Sequence, residues 1–280
     1  MEELYHKTTF KLSKVITRSY STSFSLGISV FAPAYKDSIY AVYGYVRLAD
    51  EIVDSFHKHN KRELLEEFRK ETFKAIESGI STNPVINAFQ VTVNKYGIDR
   101  EYIDAFLNSM EWDLDNSYYE SKHYDNYIYG SAEVVGLMCL RVFCNNDDKL
   151  FKELLQPAKS LGSAFQKVNF LRDIKSDIEE RGRIYLPGVD NAVKINNDNK
   201  KILEQDIDNE FKNALSGIKK LPNGVQLGVY SAYLYYLILF NKIKRLDVDE
   251  LLKKRVRISN WTKLALLIKS LVEVKILRST

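Results

Sequence analysis

Glycine and proline are scarce in this chain, 12 and 5 among 280 residues. With few such punctuating residues and apolar positions recurring mostly at three and four, the pattern points to helices without a sheet. Cysteine is nearly missing: Cys139 and Cys144 stand in one apolar run and make neither a metal nor a redox spacing. They read as buried thiols in a reducing cytosol. An excess of one charge is lacking too. The formal net charge of +4 is too small to argue for nucleic acid, and no Arg/Lys-rich tract with interleaved aromatics supports one. No uninterrupted apolar run reaches about 18 residues, so no membrane span is expected. The opening M-E-E-L-Y-H-K is charged and has no apolar signal core. Neither an internal repeat nor a linker marks a second unit, so residues 1–280 are expected to form a single domain, near the upper size of one core.

What the chain does have is a stretch from Gln166 to Pro187, reading Q-K-V-N-F-L-R-D-I-K-S-D-I-E-E-R-G-R-I-Y-L-P. Asp173 and Asp177 share one face of a helix there, ~6 Å apart along its axis. Like charges so placed repel, so a purely structural helix gains nothing from them. Asn169 and Gln166 continue the stripe, and such oxygen donors suit Mg²⁺. A lone pair of this kind is most often a solvated acidic face. A second copy changes the balance: Asp50 and Asp54 repeat the spacing in R-L-A-D-E-I-V-D, after the helical pattern of Ile39, Val42, Tyr43 and Val46. Two inward carboxylate pairs can face each other across a cavity and hold metal ions that bind a diphosphate.

R-L-A-D-E-I-V-D at 47–54, with N-F-L-R-D-I-K-S-D-I-E-E-R-G-R-I-Y-L-P at 169–187, resembles the squalene/phytoene synthase family. S-T-S-F at 21–24 and Y-I-Y-G-S-A-E-V-V-G at 127–136 extend the likeness, which runs from about residue 15 to about 245. It implies an all-α, single-domain helical bundle of the isoprenoid (class I terpenoid) synthase type with a central cavity. The implied reaction is head-to-head condensation of two geranylgeranyl diphosphates to phytoene through a cyclopropylcarbinyl diphosphate. Asp50, Asp54, Asp173 and Asp177, with Tyr43 and Tyr129, are the implied catalytic residues. Asp50, Asp54, Asn169, Asp173 and Asp177 would hold two or three Mg²⁺ ions, for which Mn²⁺ could substitute. Ser21, Ser23, Arg47, Gln166, Asn169, Arg172 and Arg183, with Arg181 beside the last, would bind the diphosphates. Tyr127, Tyr129 and Gly136 are placed near the cavity.

NADPH is not expected, because its hydride would divert the product to squalene. The R-G-R-I-Y-L-P tail and overall length look closer to bacterial phytoene synthases. Ile28, smaller than an aromatic, leaves room for a twenty-carbon tail. Squalene or dehydrosqualene synthesis from farnesyl diphosphate is the alternative. A catalytically inactive helical assembly or binding protein is a third reading, from another class. Chain-elongating transferases and terpene cyclases are disfavoured by the tail and by the D-E-x-x-D spelling. Two positions depart from the family pattern. Thr22 stands where a Lys or Arg often separates the two hydroxyls, and Glu133 stands where glycine is usual. Glu133 could be a proton acceptor, a group behind the metal, or a surface charge.

Along the chain, a first helix carries Phe10, Leu12, Val15 and Ile16, and Asp37 caps the helix bearing Asp50 and Asp54. Asn83-Pro84 starts a helix that Gly97 stops. Asp99 caps another that reaches Met110 and Trp112. Residues 191–200 read as a polar loop. The helix over 225–246 is apolar nearly all round and should be central. A basic amphipathic helix at about 257–278, with Leu264, Leu267, Ile268 and Leu271, could lie on an anionic membrane surface. The expected location is cytoplasmic, peripheral on the inner membrane face if that helix attaches. No feature of the sequence specifies an oligomeric state.

Overall fold

The computed structural model describes residues 1–115, 121–185 and 196–277, and every regular element among them is helical. The order is α1 (Glu2–Tyr20), α2 (Thr22–Ser29), α3 (Pro33–Asp54), α4 (Lys61–Ser78), α5 (Pro84–Tyr96), α6 (Arg100–Asp115) and α7 (Ser121–Ile128). A π-helical turn (Tyr129–Glu133) then leads into α8 (Val134–Cys144). The rest are α9 (Asp148–Arg181), α10 (Asn197–Ile218), α11 (Asn223–Lys244), α12 (Val248–Lys253) and α13 (Asn260–Leu277).

Two long helices carry the acidic motifs. α3 packs against α1, α4, α5, α6 and α8, while α9 packs against α8, α10, α11, α12 and the π-helical turn. One hydrophobic cluster runs through α2 to α6 and α8 to α13. α11 is its apolar centre, burying Val225, Leu234, Leu239, Phe240 and Ile243. The seam between α9 and α10 is ionic: Lys167, nearly buried, donates to Asp206 and, at 2.7 Å, to Glu210. Tyr124–Cys144 is long and apolar enough to cross a membrane, but most of it is buried inside the bundle. The sequence reading, counting uninterrupted apolar residues, passes over this stretch because polar residues break it.

Local chemistry sets most helix ends as expected. Asn83 accepts from the amides of Val85 and Ile86, Pro84 follows it, and Gly97 ends α5. Gly182 ends α9 at φ 63°, a left-handed conformation that glycine adopts at no steric cost. Other expectations need correction. α3 begins at Pro33 and not at Asp37, because Pro33 sits at the first helical position and needs no side-chain cap. Residues 197–200 belong to α10, since Asn196 caps it with a reciprocal box from Asn199, and buried Lys200 pairs with Glu204. α1 turns Thr9, Ser13 and Thr17 inward and leaves Leu12 and Val15 exposed. Each hydroxyl donates to a carbonyl of its own helix, so the stripe costs little to bury and lets α1 lie close on α3.

α13 begins at Asn260, three residues later than expected, because residues 255–259 are non-helical. It buries Leu266, Ser270 and Val274. Trp261 is 82% exposed, and Leu264, Ile268, Leu271 and Val272 face outward with it.

Candidate active site

A cavity of about 940 Å³ opens between α2, α3, α8, α9 and α11, at the large end of the ~300–1,000 Å³ typical of small-molecule sites. Its inner wall is apolar, with Ile28, Phe31, Val42, Leu140, Phe143 and Leu221. Polar groups gather on another part of the lining. Asp50, Asp54, Asp173, Asp177, Asn169, Gln166, Ser21, Ser23, Tyr43, Arg47, Arg172 and Arg183 all line this space. Every one of them was expected from sequence.

Asp54 stands at the end of α3 and accepts from Arg183 Nη1 at 2.9 Å. The same guanidinium donates to the Asp113 carbonyl at 2.8 Å and to the Tyr185 hydroxyl at 3.2 Å. Asp113 in turn accepts from Tyr127 at 2.9 Å and Tyr185 at 3.0 Å. Burial alone would lower the Arg183 pKa, but Asp113, Tyr185 and Asp54 outweigh it and hold the guanidinium charged. Phe170 stacks on Tyr185 with centroids 4.4 Å apart, and Tyr127 stacks on Tyr185 at 5.5 Å.

Asp173, on α9, is held by two arginines. Arg172 Nε donates at 2.9 Å with its Nη2 on the other oxygen, and Arg255 Nε lies 2.6 Å away. Burial would raise the Asp173 carboxyl, yet Arg172 and Arg255 hold it below the usual carboxylate value. Asp177 is 5% exposed, and its carbonyl accepts the Arg183 amide at 2.9 Å. Asn169 accepts from Tyr236 at 3.2 Å, and Tyr236 stacks on Phe165 at 3.9 Å. On the facing wall Phe24 meets Tyr43 at 5.5 Å. Burial pushes the Tyr43 hydroxyl up to about 12, so it stays protonated at neutral pH.

Two residues of the lining have structural partners as well, and one expected residue lies elsewhere. Arg47 bonds Glu51, one turn on, and its guanidinium lies 4.4 Å above the Tyr20 ring. Ser21 caps α2 by accepting the Phe24 amide at 3.2 Å, so its hydroxyl shapes the segment as well as lining the cavity. Tyr129 is outside the cavity lining; it packs under Lys159, whose ammonium sits 4.7 Å from the ring. Two residues from Tyr127, which lines the cavity, Tyr129 points to the other side of the helix. Glu133 closes the π-helical turn and pairs with Lys159 at 3.2 Å, also outside the lining.

Four contributors escaped the sequence reading: Asp113, Tyr185, Arg255 and Lys263. Tyr185 lies within R-G-R-I-Y-L-P, which was a usable signal, whereas Arg255 was one of many basic residues near the C-terminus. The side chain of Arg181 and residues Leu186 and Pro187 lie outside what is described.

The donors suit a hard divalent cation, being four carboxylates and two amides on one cavity. Among the described residues no three acidic, histidine or cysteine side chains converge on one point. The set therefore fits Mg²⁺ in the manner in which one or two carboxylates share an ion with substrate phosphates.

Acidic pairs on two helices, countered by arginines beside an aromatic-lined pocket, define an enzyme of the isoprenoid synthase fold. The model of the squalene/phytoene synthase family matches residues 17–262, and the chain belongs to that family of prenyltransferases. It is 26% identical over 283 residues to phytoene synthase of Arthrospira platensis, covering 91% of this chain and 90% of the relative. It is also 26% identical over 273 residues to 15-cis-phytoene synthase of Synechococcus elongatus, covering 89% and 88%. Among solved structures, a dehydrosqualene synthase in complex with ligand superposes with a TM-score of 0.81. The identity there is 22%, over 96% of this chain and 98% of that one.

Proposed function

We propose that this enzyme joins two geranylgeranyl diphosphates head to head to give phytoene. The observation that carries the proposal is the shared cavity: both aspartate pairs and their arginines border one large apolar pocket. The relatives reported above are named phytoene synthases, which supports the twenty-carbon substrate, as does aliphatic Ile28 on the inner wall.

Ionising an allylic C–O bond releases a diphosphate of roughly three negative charges beside four carboxylates, which is repulsive by Coulomb counting. Mg²⁺ held by Asp50, Asp54, Asn169, Asp173 and Asp177, or Mn²⁺ in its place, would offset that charge when bound. The chain's own contribution is a reserve of guanidinium. Arg172 and Arg255 on Asp173, and Arg183 on Asp54, are placed to shift from carboxylate to diphosphate oxygen. Tyr127, Phe165, Phe170 and Tyr236 present ring faces that favour a cation without being nucleophiles. The aliphatic wall keeps out water that would trap the cation as an alcohol. Attack by the double bond of the second substrate, with loss of one proton, gives the cyclopropylcarbinyl diphosphate; departure of its diphosphate, rearrangement and loss of a second proton give the triene core.

The exposed row on α13, with Lys269 and Lys275 beside it, suits an anionic bilayer into which a water-insoluble product would pass. We place the enzyme in the cytoplasm, on such a surface.

The deciding experiment incubates the protein with fifteen- and twenty-carbon prenyl diphosphates and Mg²⁺, with and without NADPH, and identifies the hydrocarbon by mass. Phytoene from the twenty-carbon substrate, independent of NADPH, is expected. Dehydrosqualene or squalene from the fifteen-carbon substrate would replace this reading with the shorter one. Absence of any hydrocarbon would leave only the fold.

A further inference from the structure

Phe31 is 7% exposed, lines the cavity and meets Phe143, another lining residue, edge-on with centroids 5.4 Å apart. Its ring lies against Gly228 of α11, which also lines the cavity. A Cβ at 228 would stand 2.2 Å from one carbon of that ring and 2.5 Å from another. The ring therefore fills the room that a side chain on α11 would need. The same Cβ would come within 2.5 Å of the Gly27 carbonyl, and the Ala32 amide donates to the Gly224 carbonyl at 2.7 Å. Main-chain groups thus hold the end of α2 and the start of α11 together around Phe31.

This contact is remote from the acidic groups. Tyr236, which bonds Asn169, lies about two turns along α11 from Gly228, ~12 Å by helical rise. Ser21 and Phe31 lie on either side of the eight residues of α2, a span of ~12 Å again. A prenyl chain with its diphosphate at the aspartates extends its tail toward Phe31 and Gly228. Displaced from α11, the Phe31 ring has Phe143 on one side and open cavity on another, so bulk at 228 moves it into the space of the tail. We propose that Gly228 is a specificity-determining residue: by seating Phe31 against α11, it sets the longest prenyl chain that the cavity admits. The proposal rests on the prenyltransferase reading above and names the pair that separates a twenty-carbon from a fifteen-carbon substrate.

The test measures, by calorimetry with Mg²⁺ present, how the full chain binds the unreactive thio-diphosphate analogues of the fifteen- and twenty-carbon substrates. Gly228→Ala should weaken the twenty-carbon analogue at least about tenfold and the fifteen-carbon one less than about twofold, on the scale by which apolar pockets sort chains by methylene count. Phe31→Leu in the Gly228→Ala background should restore the longer analogue, because the smaller side chain leaves room for the Cβ. That recovery separates the ring from the Gly27 carbonyl, which the second substitution does not touch. Phe31→Trp, with Gly228 intact, should reproduce the selective loss, and it decides the question if thermal unfolding shows Gly228→Ala to be unfolded. An unchanged ratio of the two affinities in these variants would overturn the assignment. So would equal weakening of both analogues, a selective loss that Phe31→Leu leaves in place, or a wild type that already refuses the twenty-carbon analogue. A ratio moved by Gly228→Ala in a protein that makes no hydrocarbon would remove the reaction and keep the length limit. Turnover with an indifferent ratio would do the reverse.

Discussion

Arg183 Nη1 lies 2.9 Å from Asp54 Oδ1, joining the residue after the α9 cap to the last residue of α3 across 129 positions of sequence. That guanidinium also holds the Asp113 carbonyl, so one side chain ties α3, α6 and α9 at the cavity. The Asp113 carboxylate is the hub on which Tyr127, Tyr185 and Arg183 converge.

Asp113→Ala should therefore be strongly destabilising. It leaves two buried hydroxyls without their acceptor and Arg183 short of a counter-charge, a loss of about 3 kcal/mol. Urea unfolding should show a lower midpoint with unchanged slope. An unaltered midpoint would mean that the network contributes nothing to folding.

Asp50→Asn and Asp173→Asn test the acidic motifs. Each should cut turnover by at least about a hundredfold, the scale for losing one electrostatic stabiliser of developing charge. Circular dichroism should remain that of the wild type, since both side chains border a cavity. Full activity in either variant would remove that residue from the metal-binding set.

Tyr127 and Tyr129 lie two residues apart in sequence but on different sides of the wall. Tyr127→Phe, which breaks the bond to Asp113, should lower both stability and turnover. Tyr129→Phe should leave turnover within about twofold, because surface changes away from special features act weakly. Steady-state rates of the pair read this directly, and a reversed order would contradict the placement of Tyr127 on the cavity and Tyr129 outside it.

Burial holds the Cys139 thiol at about 12 and the Cys144 thiol at about 11. Both folded values lie above the ordinary 9.0, so the neutral thiols favour the fold below that pH. Their contribution fades as pH rises from about 9 through the folded values. At pH 8 folded Cys139 should react with iodoacetamide roughly a thousandfold more slowly than a free thiol. Mass spectrometry before and after urea treatment measures this, and rapid labelling of the folded protein would refute it.

Attachment to lipid should depend on charge and on Trp261. The protein should sediment with phosphatidylglycerol vesicles and not with phosphatidylcholine ones. Lys269→Glu and Trp261→Ser should each reduce the bound fraction severalfold, at about 1 kcal/mol for each lysine near the surface. Equal partitioning on both lipids would exclude this role for α13.

Legibility followed the range of the interactions. The cap at Asn83, Pro84 beside it, and the paired aspartates are local signals, and the structure places them where the spacing put them. The inward face of α1 was not legible, because hydroxyls that bond their own helix behave as small core groups while hydropathy ranks Leu12 and Val15 above them. Asp113 and Arg255 gain their roles only when α6 and the stretch before α13 fold against α9. Tyr129 could have been excluded from the spacing alone, because residues two apart on a helix do not share a face and Tyr127 lines the cavity.

Gly162 of α9 comes so close to the π-helical turn that a Cβ there would lie 2.6 Å from the Ala132 carbonyl. Backbone touching backbone leaves no side chain to rearrange between these two segments. A long hydrocarbon entering the pocket cannot wedge them apart. For the proposed reaction, product size would be gauged by the bulk of lining residues such as Ile28 and Phe31, against a frame that does not stretch.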